Sequence, residues 1–244
     1  ACILSPDESI CVMIMEEDHF RLQCLKSGFD PQTTLQVAAE LDKMLSKHVE
    51  YAFDKELGYL TSCPTNVGTG MRLSVMLHLP ALTLSDGISP VLASLGRLGI
   101  TARGIYGEGS KAQGDLYQIS NQITLGISET DIVKNVSNVV RQIINKEREV
   151  RKTLYENAPN RVTDKVMRSL GILRHASMMD SQEALAHLSM VNMGIGLGII
   201  KDLTSAEVYG LMIDIMPGML TKEGMSQEER DLRRAEVIQN EIVR

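Results

Sequence analysis

The chain has 244 residues, 43% of them hydrophobic, enough to bury a sizeable core as one large domain or two small ones. A formal charge of −6 and a pI near 5.4 exclude an overall basic field, so nucleic acid is not expected as the principal partner, whereas an acidic surface suits basic protein substrates. The sequence has no apolar run of about 18 residues and no charged-then-apolar leader, so it reads as soluble and cytoplasmic, with no membrane association. The cysteines at 2, 11, 24 and 63 form no CxxC pair and no close Cys–His spacing, which argues against structural zinc and a disulfide scaffold and leaves reduced thiols.

In chain order, "SICVMIM" and "FRLQCL" read as strands flanking the acidic turn "EEDH". After Pro31, the spacing of Leu35, Val37, Ala38, Leu41, Met44, Leu45 and Val49 predicts a helix over 32–50. "GYLTSC" is expected as a strand, "PTNVGTG" as a loop and "MRLSVMLHLP" as a strand. A helix near 86–98 and a strand at "GITARGI" follow. Next come the glycine-studded "YGEGSKAQG", which is expected to be mobile, and the strand-like "DLYQISNQITL". From Ser128 onward every segment reads as helix. Ser128–Asp131, Thr204–Glu207 and Ser226–Glu229 give the same start signal, Asp180 caps a further helix through Glu183, and Gly171 is expected to end the one before it. The expected architecture is α+β: an antiparallel sheet flanked by helices over 1–150, then an all-helical domain over 151–244.

Several residues could carry chemistry. In "EEDH", Glu16 to His19 with Arg21 just beyond, a charged turn is more often solvated than functional, and consecutive carboxylates rarely converge on a metal. Cys63 is a small buried hydrophobe or, with cations nearby, a reactive thiol. "NVGTG" lacks the lysine and hydroxyl of a P-loop. Arg21, Arg72 and Arg103 lie near strand positions beside the acidic and glycine-rich loops, where guanidinium forks could clamp an anion or simply be scattered on the surface. In the tail, Arg230 and Arg234 share a helix face with Arg233 close by and Asp231 between them, which on its own is a solvated face. The Met- and Leu-rich helices over 160–220 read as core or a dimer interface.

Three motifs in order, "MEEDHFRLQCL", "GYLTSCPTNVGTGMRLSVMLHLP" and "ARGIYGEGS", resemble the ATP:guanidino phosphotransferase family. "IYGEG" and the helical extension ending in "ERDLRRAEVIQ" resemble its bacterial protein-arginine kinase branch. The resemblance implies that Glu17 and Glu108 grip a substrate guanidinium, with Cys63 against it as a thiolate. Arg21, Arg72 and Arg103 would hold ATP phosphates, Ser74 and Met76 would contact the nucleotide, and Glu16 would help hold water around Mg²⁺. RDxxRA would make Arg230, Asp231 and Arg234 an allosteric phosphoarginine pocket. A homodimer through the tail and a regulatory partner of the stress-response and protein quality control kind are implied by the family alone. Met15 stands where the family usually has asparagine. No SSRxR motif is present, so the chain reads as a fragment lacking an N-terminal region with further phosphate-binding arginines. The expected activity is ATP-dependent phosphorylation of protein arginines. A non-catalytic phosphoarginine-binding and dimerisation module, or a small-molecule guanidino kinase, are the alternatives.

Overall fold

The apolar runs around the acidic turn pair as antiparallel strands. β1 (Cys2–Leu4), β2 (Ile10–Ile14) and β3 (Phe20–Cys24) form a sheet in that order, with Ile14 opposite Phe20 and Met13 opposite Arg21. The helix α1 (Pro31–Leu45) starts where the sequence places it, because Asp30 accepts from the Thr33 N–H and Pro31 needs no partner for its nitrogen. α1 packs on β3, and Leu41 and Leu45 share a small groove with Val12 and Leu22. Side chains alternate along a strand, so Cys11, Met13 and Arg21 occupy the face away from this helix.

The computed structural model describes residues 1–104, 112–221 and 224–242. Two compact units divide it: Ala1–Val75, Leu92–Ala102 and Gln118–Gln142 make the first, and Met76–Val91, Arg103–Tyr117 and Ile143–Arg244 the second. A short ribbon of β4 (Phe53–Asp54) and β5 (Gly58–Tyr59) precedes a 3-10 turn at Pro64–Asn66. Three further strands, β6 (Ser74–His78), β7 (Ile100–Arg103) and β8 (Leu116–Asn121), are ordered β6-β8-β7. The strand expected over "GYLTSC" ends at Tyr59. Beyond it the Leu60 N–H turns to Ala52 O, and the Thr61 hydroxyl turns to Cys63 O. Pro80 likewise ends the "MRLSVMLHLP" strand by opening α2 (Pro80–Leu84), a helix the sequence reading missed. The helix expected over 86–98 is α3 (Ile88–Leu95) followed by a 3-10 turn.

The remaining chain is helical: α4 (Glu129–Asn157), α5 (Pro159–His175), α6 (Ser181–Gly196), α7 (Ser205–Asp214), α8 (Pro217–Leu220) and α9 (Gln227–Ile242). Asp180 caps α6 through the Glu183 N–H, and Thr204 with Glu207 completes a reciprocal cap on α7. Gly171 does not end its helix. α5 runs four residues past it to His175, since a glycine that stays in right-handed backbone weakens a helix without stopping it. Val166, Leu170 and Leu173 of α5 interlock with Leu185 and Leu188 of α6, Val208 and Leu211 of α7 and Ile238 of α9. Each such side chain contributes about 1.5–3 kcal/mol by leaving water. Glu147 on α4 is buried too, and its carboxylate accepts from the N–H groups of Ala81 and Leu82 at 3.1 and 2.9 Å and from Arg151. No described helix is long and apolar enough to cross a membrane.

Candidate functional site

The first unit brings two of the sequence-nominated segments together. Asp18, in the turn between β2 and β3, accepts the Ser62 N–H on Oδ1 at 2.6 Å, across 44 residues of chain. That bond places the turn of Glu16 and Glu17 beside the loop of Cys63. Within the turn, Glu16 Oε2 accepts from the Glu17 N–H at 3.0 Å and pairs with Arg21 Nη1 at 2.8 Å. The Arg21 guanidinium beside it holds the Glu16 carboxyl below the usual carboxylate range. Met15 opens the turn with a left-handed φ of +58°, its N–H bonded to His19 O.

Cys63 sits half-buried at the start of the 3-10 turn, with its sulfur 3.0 Å from Thr65 Oγ1. Its carbonyl accepts from the Asn66 N–H and the Thr61 hydroxyl. The glycine loop that follows is pinned from β8 and the residues after it. Thr124 Oγ1 bonds to Thr65 O at 2.9 Å and Val67 O at 2.8 Å, and Thr124 O accepts from the Thr69 N–H at 3.0 Å. Gly68, at φ +114°, is required at this crossing, because a Cβ there would lie 2.2 Å from Thr124 O. Asn121 brackets Arg72: its Oδ1 accepts from the Leu73 N–H at 2.7 Å and its Nδ2 donates to Met71 O at 3.1 Å. Arg72 itself is exposed. On β6, Ser74 bonds to Ser120 at 2.9 Å, and Met76 is 47% exposed.

Arg103, at the end of β7, is carried by the second unit. Glu108 and most of the loop expected to be mobile, 106–111, lie outside the described residues, whereas its last residues, Gln113 and Gly114, are described and form a turn just before β8. No cluster of three or more metal-ligating side chains occurs among the described residues. The exposed Glu16 and Glu17 nonetheless offer the hard oxygen donors that suit Mg²⁺, which keeps much of its water and needs only one or two carboxylates.

In the tail, Arg234 is not on a solvated face. At 2% exposure it donates through Nε to Ile215 O at 3.0 Å and through Nη1 to Met179 O at 2.8 Å and Asp231 Oδ1 at 2.5 Å. Asp231 O in turn accepts from the Met179 N–H. Arg230 is half-buried, and its Nη1 donates to Met225 O. Arg234 therefore backs this corner of α9 while Arg230 is the more open guanidinium.

The sequence reading quoted Asp18 without giving it a role, and it missed Thr65, Asn121 and Thr124 altogether. Their partners lie on distant segments, except for Thr65 beside Cys63, and polar residues at strand ends have no periodicity to betray them.

The profile of the ATP:guanido phosphotransferase C-terminal catalytic domain matches residues 1–150, and that of the protein-arginine kinase McsB C-terminal domain matches 159–244. The chain is 50% identical over 245 aligned residues to a protein-arginine kinase of Geobacillus sp. (strain WCH70), covering 99% of this chain and 68% of the relative. It is 44% identical to a protein-arginine kinase of Clostridium tetani (strain Massachusetts / E88), covering 99% and 72%. Among solved structures, a lombricine kinase superposes with a TM-score of 0.52 at 30% identity over 59% of this chain and 40% of that one. The duplicated taurocyamine kinase of Schistosoma mansoni, with bound transition state analogue components, gives 0.54 at 26% identity over 68% and 24%.

Proposed function

The chain belongs to the ATP:guanido phosphotransferase family, in its protein-arginine kinase branch, and from that premise we propose that it transfers the γ-phosphoryl group of ATP to arginine side chains of proteins. The observation that carries the reading is the Asp18–Ser62 bond, which sets the Glu17 turn and the Cys63 loop side by side. A guanidinium is protonated at neutral pH and offers no free lone pair, so it must be oriented and must lose a proton as the N–P bond forms. Glu17 and Glu108 are the two carboxylates assigned to that work: both orient the planar fork, and one accepts the proton. Cys63 lies against the same guanidinium and tunes it without forming a covalent bond. Arg21, Arg72 and Arg103 are assigned to the phosphates, whose charge spreads over equatorial oxygens in the transition state. Arg21 is held by Glu16 here and would exchange this exposed partner for phosphate. Ser74 and Met76 are assigned to the nucleotide. Mg²⁺, when bound with ATP, would neutralise phosphate charge, with Glu16 holding its water.

Residues 1–150 constitute the catalytic part of this reading, and 151–244 a regulatory part serving dimerisation and phosphoarginine binding. Arg230 and Asp231 would face the phosphoarginine, with Arg234 fixed behind them. The setting is cytoplasmic, within a stress response governed by a partner protein. The test is incubation with Mg-ATP and an arginine-rich protein, followed by mass spectrometry for acid-labile, alkali-stable phosphate. Product that disappears in Glu17→Ala and Glu108→Ala supports the reading. Label on free arginine in preference to protein would point to a small-molecule kinase, and no label with Arg230-dependent phosphoarginine binding would leave a reader module.

A further inference from the structure

A buried polar chain at the end of β6 takes no part in these roles. Ser189 on α6 is 0% exposed, and Asn192, three residues on, is 4% exposed. Ser189 Oγ donates to Asp115 Oδ2 at 2.5 Å and lies 2.8 Å from His78 Nε2. A serine hydroxyl has one proton, and here the carboxylate receives it, so His78 Nε2 is the donor to Ser189. The ring is then the Nε2–H tautomer, and its Nδ1 accepts from Asn192 Nδ2 at 3.1 Å. The chain runs one way, from Asn192 through His78 and Ser189 to Asp115. It is not a nucleophilic triad, because the serine proton points at the carboxylate instead of at a basic ring nitrogen.

What this chain holds connects it to the reaction. His78 is the last residue of β6, and by alternation it shares a strand face with Ser74 and Met76. Asp115 immediately precedes β8 and lies seven residues beyond Glu108 along the sequence. Gly114 and Asp115 are both left-handed, at φ +59° and +54°, a conformation that glycine adopts freely and aspartate more readily than most side chains. Asp115 O accepts from the Leu79 N–H at 2.9 Å, and the Leu116 N–H returns to Gln113 O at 3.2 Å. Gly114 rests directly on α6, where a Cβ would come within 3.1 Å of Leu185 O.

We propose that Asp115, Ser189 and His78 are positioning residues for phosphoryl transfer: they pin to α6 the turn of Gln113 to Asp115, which follows Glu108 in the sequence, together with the end of β6. This rests on the function proposed above, since Glu108 is assigned only there. Ser189→Ala, Asp115→Asn and Asp115→Gly separate the contributions. Glycine keeps the left-handed backbone without the carboxylate, and asparagine keeps both an acceptor oxygen and tolerance of that backbone.

Two readouts are taken on each protein: amide hydrogen exchange at Leu79 and Leu116, and steady-state transfer from ATP to an arginine-rich protein. Ser189→Ala and Asp115→Gly are expected to speed exchange at both amides, and to lower kcat by about tenfold or more while KM for ATP stays within about twofold, as misplacement of a reacting group does. Asp115→Asn should restore most of both. Faster exchange with unchanged kcat overturns the positioning role, and unchanged exchange overturns the tether itself. If the unsubstituted protein labels no acceptor, the function proposed above fails, and the exchange arm still decides whether Ser189 and Asp115 hold the turn.

Discussion

The segment Ala1–Val75 and the helices from α5 onward are built by different means. In the first, no residue is fully buried. Its strands pair through main chain, and its loops are fixed by side chains bonded to main chain: Asp18 to Ser62, Thr124 to Thr65 and Val67, Asn121 to Met71 and Leu73. In the second, Val166, Leu185, Leu188, Val208 and Ile238 are all at 0% exposure. The site proposed for this segment would have to admit a charged guanidinium and a nucleotide, which apolar packing could not seal, and polar bonds within reach of water suit that role. Substitutions in the two regions should therefore separate, with the helical region showing its losses in stability and the N-terminal region showing them in transfer.

The largest expected effect is in the helical core. Leu188→Ala leaves a cavity at a fully buried position and should cost about 3 kcal/mol of unfolding free energy, measured by denaturant titration. A loss below about 1 kcal/mol would mean that this core collapses around the gap, and the contrast between the regions would weaken.

The next effect is pH-dependent. Burial, and secondarily the charge of Arg151, pushes the His78 imidazole down to about 3 from an ordinary 6.5. As pH falls through 6.5 the unfolded chain takes up a proton on this ring, but the folded chain does not until about 3. The unfolded state then binds more protons, so stability is intact above this window and declines within it, by up to about 1.4 kcal/mol per pH unit. His78→Gln should flatten that contribution to the acid limb while lowering stability at alkaline pH. An acid limb of unchanged slope would show that the ring is protonated in the fold.

How far these differences could be read in advance follows from the range of the interactions. Helix starts at Asp30, Asp180 and Thr204 were legible because a cap and its partner lie within a few residues. The strands around "EEDH" were legible from their apolar runs, whereas Glu17, Cys63 and Arg72 were nominated by family motifs alone. What Asp18, Asn121 and Ser189 do was not legible, because each bonds a group 44 or more residues away and nothing local marks the choice. Arg234 was misleading for the same reason: its helical spacing resembles that of a solvated arginine, yet two distant carbonyls bury it.

A smaller stability effect, joined to a large kinetic one, is expected at Asp18. Asp18→Ala removes the acceptor for the Ser62 N–H at a half-exposed position, where water can replace it, so the stability change should stay near 1 kcal/mol. Transfer to arginine should nevertheless fall by about tenfold or more, because the Glu17 turn and the Cys63 loop lose their register. Asp18→Asn keeps an acceptor oxygen and should recover much of the rate. Equal losses in both variants would assign the role to the charge of Asp18 instead of to its bond.

The smallest effect tests the turn from the other side. Met15 is 71% exposed and left-handed at φ +58°, so it has no packing to offset a backbone conformation that disfavours a side chain of its kind. Asparagine, whose short side chain tolerates left-handed backbone, enters that conformation more easily, and Met15→Asn should stabilise the fold by about 0.5 kcal/mol. On the role proposed for Glu17, which this turn carries, the same substitution should raise transfer modestly without altering KM for ATP. A gain in stability with no gain in rate would show that the bonds from Asp18 and Glu16 already set the turn, and that the methionine strains a geometry it does not control.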